Sequence, residues 1–145
     1  MLTELTALAA GALALAQAAQ EPARGWACAS QKTTGFSNAS GEWISVDFAV
    51  QAKYVILPGR VAGTAWEVRS GSRSDLVEAA CPEDFSRLEV LHCRGTMTEL
   101  KFNRATGRFL RAYLAGYWSY TPNAPFFSKD GGDTPLLEIG TCSKL

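Results

Sequence analysis

Apolar and polar positions alternate with a period of two through most of this chain. In residues 42–50, Ile44, Val46, Phe48 and Val50 share one face while Ser45 and Asp47 take the other, which predicts a half-buried strand opened by Gly41. Residues 53–57, closed by Pro58-Gly59, and residues 65–69, closed by Ser70-Gly71, repeat the pattern with β-branched and aromatic side chains between turn formers. Residues 26–30 and 136–142 are expected as first and last strands. Between them, residues 75–80 and 82–88 read as a turn or two of helix each, the second with Pro82 at its start and Glu83 and Asp84 in its first turn, where the helix dipole favours acids.

The clearest hairpin joins residues 97–102 to residues 108–115 through a turn begun by Asn103, whose side chain can bond its own backbone, and ended by Gly107, which admits a positive φ. Leu100 and Phe102 are expected to face inward. On the returning strand, parity separates Leu110, Ala112 and Leu114 from Phe109, Arg111, Tyr113 and, in unbroken register, Tyr117. The expected core takes the leucine face, which leaves an aromatic and arginine stripe outside. Many short strands with turns about every ten residues predict an all-β fold, a small antiparallel barrel or sandwich with one or two short helical turns, preceded by a signal peptide.

That leader is the other strong pattern. Residues 5–20 carry no charge, and their Ala/Leu run is shorter than the roughly 20 residues that span a bilayer. Small residues at alternate positions offer cleavage after Ala16 or Ala18, although Glu4 stands where a basic residue is usual. The expected organisation is a signal peptide over residues 1–18 and one disulfide-stabilised β domain over residues 19–145. The processed chain is expected to be periplasmic or secreted, without stable membrane insertion after cleavage. Removing the leader takes one acid and no base, so 14 basic side chains face 13 acidic ones. Nucleic acid is therefore not an expected partner, since phosphate binding needs a local surplus of Lys and Arg.

Cys28, Cys81, Cys93 and Cys142 allow three pairings. The expected one is Cys28 with Cys142, tying the start of the domain to its end, and Cys81 with Cys93, closing a short loop. Zinc is the competing reading, but close ligand pairs such as C-x₂-C are missing and no metal or other cofactor is expected. A nucleophilic triad would have to use His92, the one histidine, whose neighbour Cys93 is expected to be oxidised and so not a nucleophile, and His92 is expected to be structural or solvated. Carboxylate pairs drawn from Glu83 and Asp84, or from Asp130, Asp133 and Glu138, have no distinguishing spacing. Residues 128–135 hold acids and glycines but lack the ligand alternation of a calcium loop. No catalytic residue is assigned.

Residues 102–110, with Phe102-Asn103, Thr106-Gly107-Arg108-Phe109-Leu110, then Tyr113, Gly116-Tyr117 and finally residues 133–142 ending in Ile139-Gly140-Thr141-Cys142, resemble a family of small secreted proteins of Gram-negative bacteria to which no activity is assigned. The likeness extends weakly to Cys28 and Thr34-Gly35-Phe36. It implies secretion and a cysteine in the last strand. A looser similarity of size, exported β architecture and disulfides is to periplasmic lysozyme-inhibitor barrels.

The strongest interaction signal is aromatic. Tyr113, Tyr117, Trp118, Tyr120, Phe126 and Phe127 crowd a segment interrupted by Pro122 and Pro125, and Tyr, Trp, Phe and Arg are enriched at interfaces. Phe109, Arg111, Tyr113, Tyr117 and Trp118 are thus the candidate binding residues. The expected function is a non-enzymatic binding module of the cell envelope whose partner is a protein or saccharide, with a cell-wall hydrolase as one such protein. A small-ligand carrier with a barrel lumen and a carboxylate-dependent hydrolase are the alternatives.

Overall fold

The computed structural model describes residues 24–50, 52–73, 75–118 and 134–145. The leader, the aromatic positions 120, 126 and 127 and most of the acid- and glycine-rich stretch 128–135 lie outside the described residues. Nine strands appear among the described residues: β1 (Trp26–Ser37), β2 (Ile44–Phe48), β3 (Lys53–Pro58), β4 (Trp66–Ser70), β5 (Val77–Cys81), β6 (Val90–Arg94), β7 (Thr98–Asn103), β8 (Arg108–Tyr113) and β9 (Leu136–Lys144). All pairings are antiparallel. The order β1-β3-β4-β5-β6-β7-β8-β9 closes on itself through β1 and β9, giving an eight-stranded barrel. The first half of β1 pairs with β3 and its second half, on the same edge, with β2, which extends the wall beyond the barrel.

An eight-stranded barrel leaves an interior just wide enough for side chains to fill. Here one half is filled by Ile56, Val68, Leu91, Leu100, Phe102 and the Cys81–Cys93 bridge, each at most 1% exposed. Trp26 closes that end, its ring 5.1 Å from Trp66 and from Phe85 and 5.3 Å from Phe102. Cys28 and Cys142 stand opposite each other on β1 and β9 and are bonded, so the strand pair that closes the barrel is also crosslinked. Both disulfides are those expected. Two such bonds mark an oxidising, extracytoplasmic environment.

Three expectations need correction. Residues 77–81 form strand β5 where a helical turn was expected, and residues 82–88 form an irregular loop ending in a turn at Arg87 and Leu88 in place of a second helical segment. The reason is tertiary: β5 fills the gap between β4 and β6, and two turns of helix cannot complete a ladder. β2 is also less buried than its alternation implies. Ile44 is exposed, as is Val50 just past its end, because this strand pairs with β1 beyond the barrel and meets no opposite wall among the described residues.

The third correction concerns β8. Phe109 is buried, whereas Leu110 is 45% and Leu114 52% exposed, so the aromatic and arginine face points into the barrel and the leucines point out. The turn decides this. Four residues lie between the paired Asn103 and Arg108, and an even loop places Phe109 across from Phe102 and Arg111 across from Leu100. Directly paired residues share a face, so an inward Phe102 forces Phe109 inward. Asn103 Oδ1 accepts from the amides of Ala105 (2.9 Å) and Thr106 (3.1 Å), and Gly107 adopts φ 67°, which fixes that loop length.

Candidate functional site at the polar mouth of the barrel

The two halves of the lumen differ in chemistry. Above the apolar half, inward positions on β1, β3, β8 and β9 carry Ser30, Thr33, Tyr54, Arg111 and Glu138. β9 alternates strictly, so Glu138 falls on the face of Gly140 and Cys142 and is only 2% exposed. A bulge between Ser30 and Lys32 switches the parity of β1 and brings both Ser30 and Thr33 to the lumen beside it. A second irregularity, between Val68 and Arg69, frees Glu78 of β5 from its ladder position.

Glu138 is the hub. Its Oε1 accepts from the Ser30 hydroxyl, and its Oε2 accepts from the Tyr54 hydroxyl at 2.6 Å and from Arg111 Nη1 at 3.4 Å. Arg111 also donates from Nη2 to Glu78 Oε2 at 3.1 Å, and its guanidinium lies 5.3 Å from the centre of the Tyr54 ring. Burial, then the hydrogen bond to Glu138, pushes the Tyr54 phenol far above its ordinary value, so Tyr54 acts as a donor throughout the physiological range. Each buried charge here is both paired and hydrogen-bonded, the condition under which such groups are tolerated.

Above this network lies a cavity of about 700 Å³, floored by Tyr54, Arg111, Glu138 and Glu78 and rimmed by Phe48, Lys53, Ser70 and Ser72. That volume lies within the range of small-molecule sites. Glu78 Oε1 and Arg111 Nε have no hydrogen-bond partner among the described residues, the latter while buried. The mouth is thus a preformed recess with an uncommitted acceptor on Glu78, while the unpartnered Arg111 Nε lies buried beneath it.

The five candidate binding residues do not form one surface. Phe109 lies in the core, Arg111 in the floor of the mouth, and Tyr113 is half-buried. Tyr117 and Trp118 are 66% and 67% exposed, with Tyr117 stacked edge-on against Trp43 at 5.4 Å. His92 faces outward, its Nε2 3.4 Å from Glu99 Oε1, an ion-pair distance without hydrogen-bond geometry. Tyr54 and Glu78 were not singled out by sequence reasoning. Tyr54 was nonetheless legible, since it has the parity of Ile56 in a strand whose odd positions include Lys53. Glu78 gave no such signal, because a bulge sets its direction.

The outward face of β8 and β9 carries a second feature. Leu110 pairs with Ile139 and Ala112 with Leu137, and Leu110, Leu114, Leu137 and Ile139 are each 45–52% exposed. The chain matches no family model, no curated protein and no solved structure.

Proposed function

We propose that this protein is a periplasmic or secreted, non-enzymatic binding module that receives part of its ligand, a protein or saccharide of the envelope, in the polar mouth of the barrel. The observation that carries the reading is the recess of about 700 Å³ over a floor of Arg111, Glu138, Glu78 and Tyr54. The signal-peptide pattern, the two disulfides and the resemblance to small secreted proteins are consistent with export.

Two alternatives fit less well. A carrier of apolar molecules needs an open apolar lumen, and the apolar half here is filled by the protein's own side chains. A carboxylate hydrolase needs two acids free to exchange protons with substrate, and Glu78 and Glu138 are both engaged by one guanidinium. The exposed leucine face supports a second reading, in which a protein partner docks on the outside of β8 and β9.

The test is ligand screening by thermal shift, with Ser72→Trp as the variant that blocks the rim. A mouth ligand at a hundredfold excess over its Kd stabilises the fold by about 2.7 kcal/mol. Stabilisation in the native protein that is lost in Ser72→Trp supports the reading. Equal stabilisation in both places the ligand elsewhere.

A further inference from the structure

We infer that the mouth recognises a primary ammonium group, with Glu78 as its counter-ion. The inference rests on the mouth being the binding site and assigns the class of ligand.

The argument is one of charge and unused capacity. Glu138 is saturated, with donors from Ser30, Tyr54 and Arg111 on its two oxygens. Arg111 divides its Nη atoms between Glu138 and Glu78. Two carboxylates therefore share one guanidinium, and the excess negative charge sits on Glu78, which uses only Oε2. Its side chain is 21% exposed and lines the recess, so its second oxygen is reachable from the cavity without disturbing the network below. Lys53 also lines the recess, but forms no ion pair with a carboxylate among the described residues, and its exposed position at the rim leaves its charge in water.

An ammonium has three donors, so it can meet Glu78 Oε1 and turn its remaining donors to the hydroxyls of Ser70, Ser72 or Thr33. A lysine-bearing peptide and an amino sugar both carry such an ammonium. An anion is disfavoured, since it would lie beside two carboxylates.

The experiment is a titration of the oxidised full chain, followed by amide NMR, with two matched pairs. N-acetyl-lysine amide is compared with N-acetyl-norleucine amide, and glucosamine with N-acetylglucosamine, so that the arms separate a peptide-borne from a sugar-borne amine. The expected result is that the amine of at least one pair shifts the resonances of residues 78, 111 and 138 while its neutral counterpart does not. Glu78→Gln, whose amide oxygen can still accept from Arg111, should weaken that binding at least tenfold in a protein whose amide spectrum remains that of the folded barrel, and Lys53→Ala, which removes a charge screened by water, should leave it nearly unchanged. Neutral probes that bind the mouth as tightly as amines keep the mouth as the site and overturn the ammonium. Amines that bind without perturbing residues 78, 111 and 138 overturn both, and failure of every probe, or undiminished binding by Glu78→Gln, overturns the inference.

Discussion

Phe109 stands directly opposite Gly140 on the β8–β9 ladder, and a methyl group on Gly140 would come within 2.6 Å of the Phe109 Cε1 while colliding with the Ala29 carbonyl. The ring occupies the space that any other side chain at position 140 would claim. It also packs edge-on to Tyr54 at 5.9 Å, so the apolar core and the polar mouth share this contact. Gly140→Ala should cost about 1–3 kcal/mol, the usual range for overpacking, because the Ala29 backbone has little room to move. Urea unfolding at constant m-value checks this.

The orientation of β8 gives a sharper contrast. Phe109→Ala should destabilise by about 3–5 kcal/mol, as a buried aromatic truncation does, whereas Leu110→Ala should change stability by only about 0.5 kcal/mol. A Leu110→Ser, Ile139→Ser double variant should likewise fold normally, and would separate external docking from mouth binding in pull-downs with a captured partner.

Substituting Arg111 is a stability experiment as well as a binding one. Arg111→Leu strands Glu138 without its counter-ion and should cost about 3–5 kcal/mol. Tyr54→Phe removes one hydrogen bond to a charged acceptor and should cost about 1.5–3 kcal/mol. Denaturation of both single variants and the double variant should reveal coupling, since the two side chains converge on Glu138 Oε2.

The pH dependence has opposite signs at its two ends. Tyr54 has its phenol raised in the folded state, so its contribution is complete below the ordinary tyrosine range and is lost only as pH rises toward the folded value. Absorbance titration should therefore show Tyr54 ionising only when the barrel opens in alkali, and Tyr54→Phe should remove that late step. On the outer wall, burial opposes the charge of Glu67, but hydrogen bonds from Arg69 and Arg60 outweigh it and hold the carboxyl below its usual range. That stability is present above the carboxylate range and is lost as pH falls through the folded value, so Glu67→Gln should flatten the acid limb of the stability curve.

The disulfides should differ in worth. By the chain-entropy model, the bond spanning 114 residues contributes about 5 kcal/mol and that spanning 12 about 3 kcal/mol. Paired Cys→Ala variants, Cys28 with Cys142 and Cys81 with Cys93, compared by denaturation, test the order.

Strand periodicity made the barrel legible where one face is buried along an uninterrupted strand, as in β3, β7 and β9. The disulfide pairing was legible too, because Cys28 and Cys142 sit in the first and last strands. The mouth was harder to read for a physical reason. Glu78 and Thr33 lie at or just beyond bulges, and each extra residue reverses which side chains face inward. On β8 the leucines suggested a core by composition, while the register imposed by a four-residue turn ruled the other way. Counting that turn against the inward Phe102 would have placed Phe109 and Arg111 inside.

The bond between Cys28 and Cys142 has a mechanical consequence. It joins neighbouring strands near the two ends of the barrel chain, so tension applied upstream of Trp26 and downstream of Lys144 reaches sulfur before it reaches most of the hydrogen-bonded wall. Tethered by those flanks, the oxidised barrel should extend by only the few residues outside the bridge, with the remaining strands carrying no load. Reduction would turn the same tether into a handle that peels β1 from β9 and opens the wall from its seam.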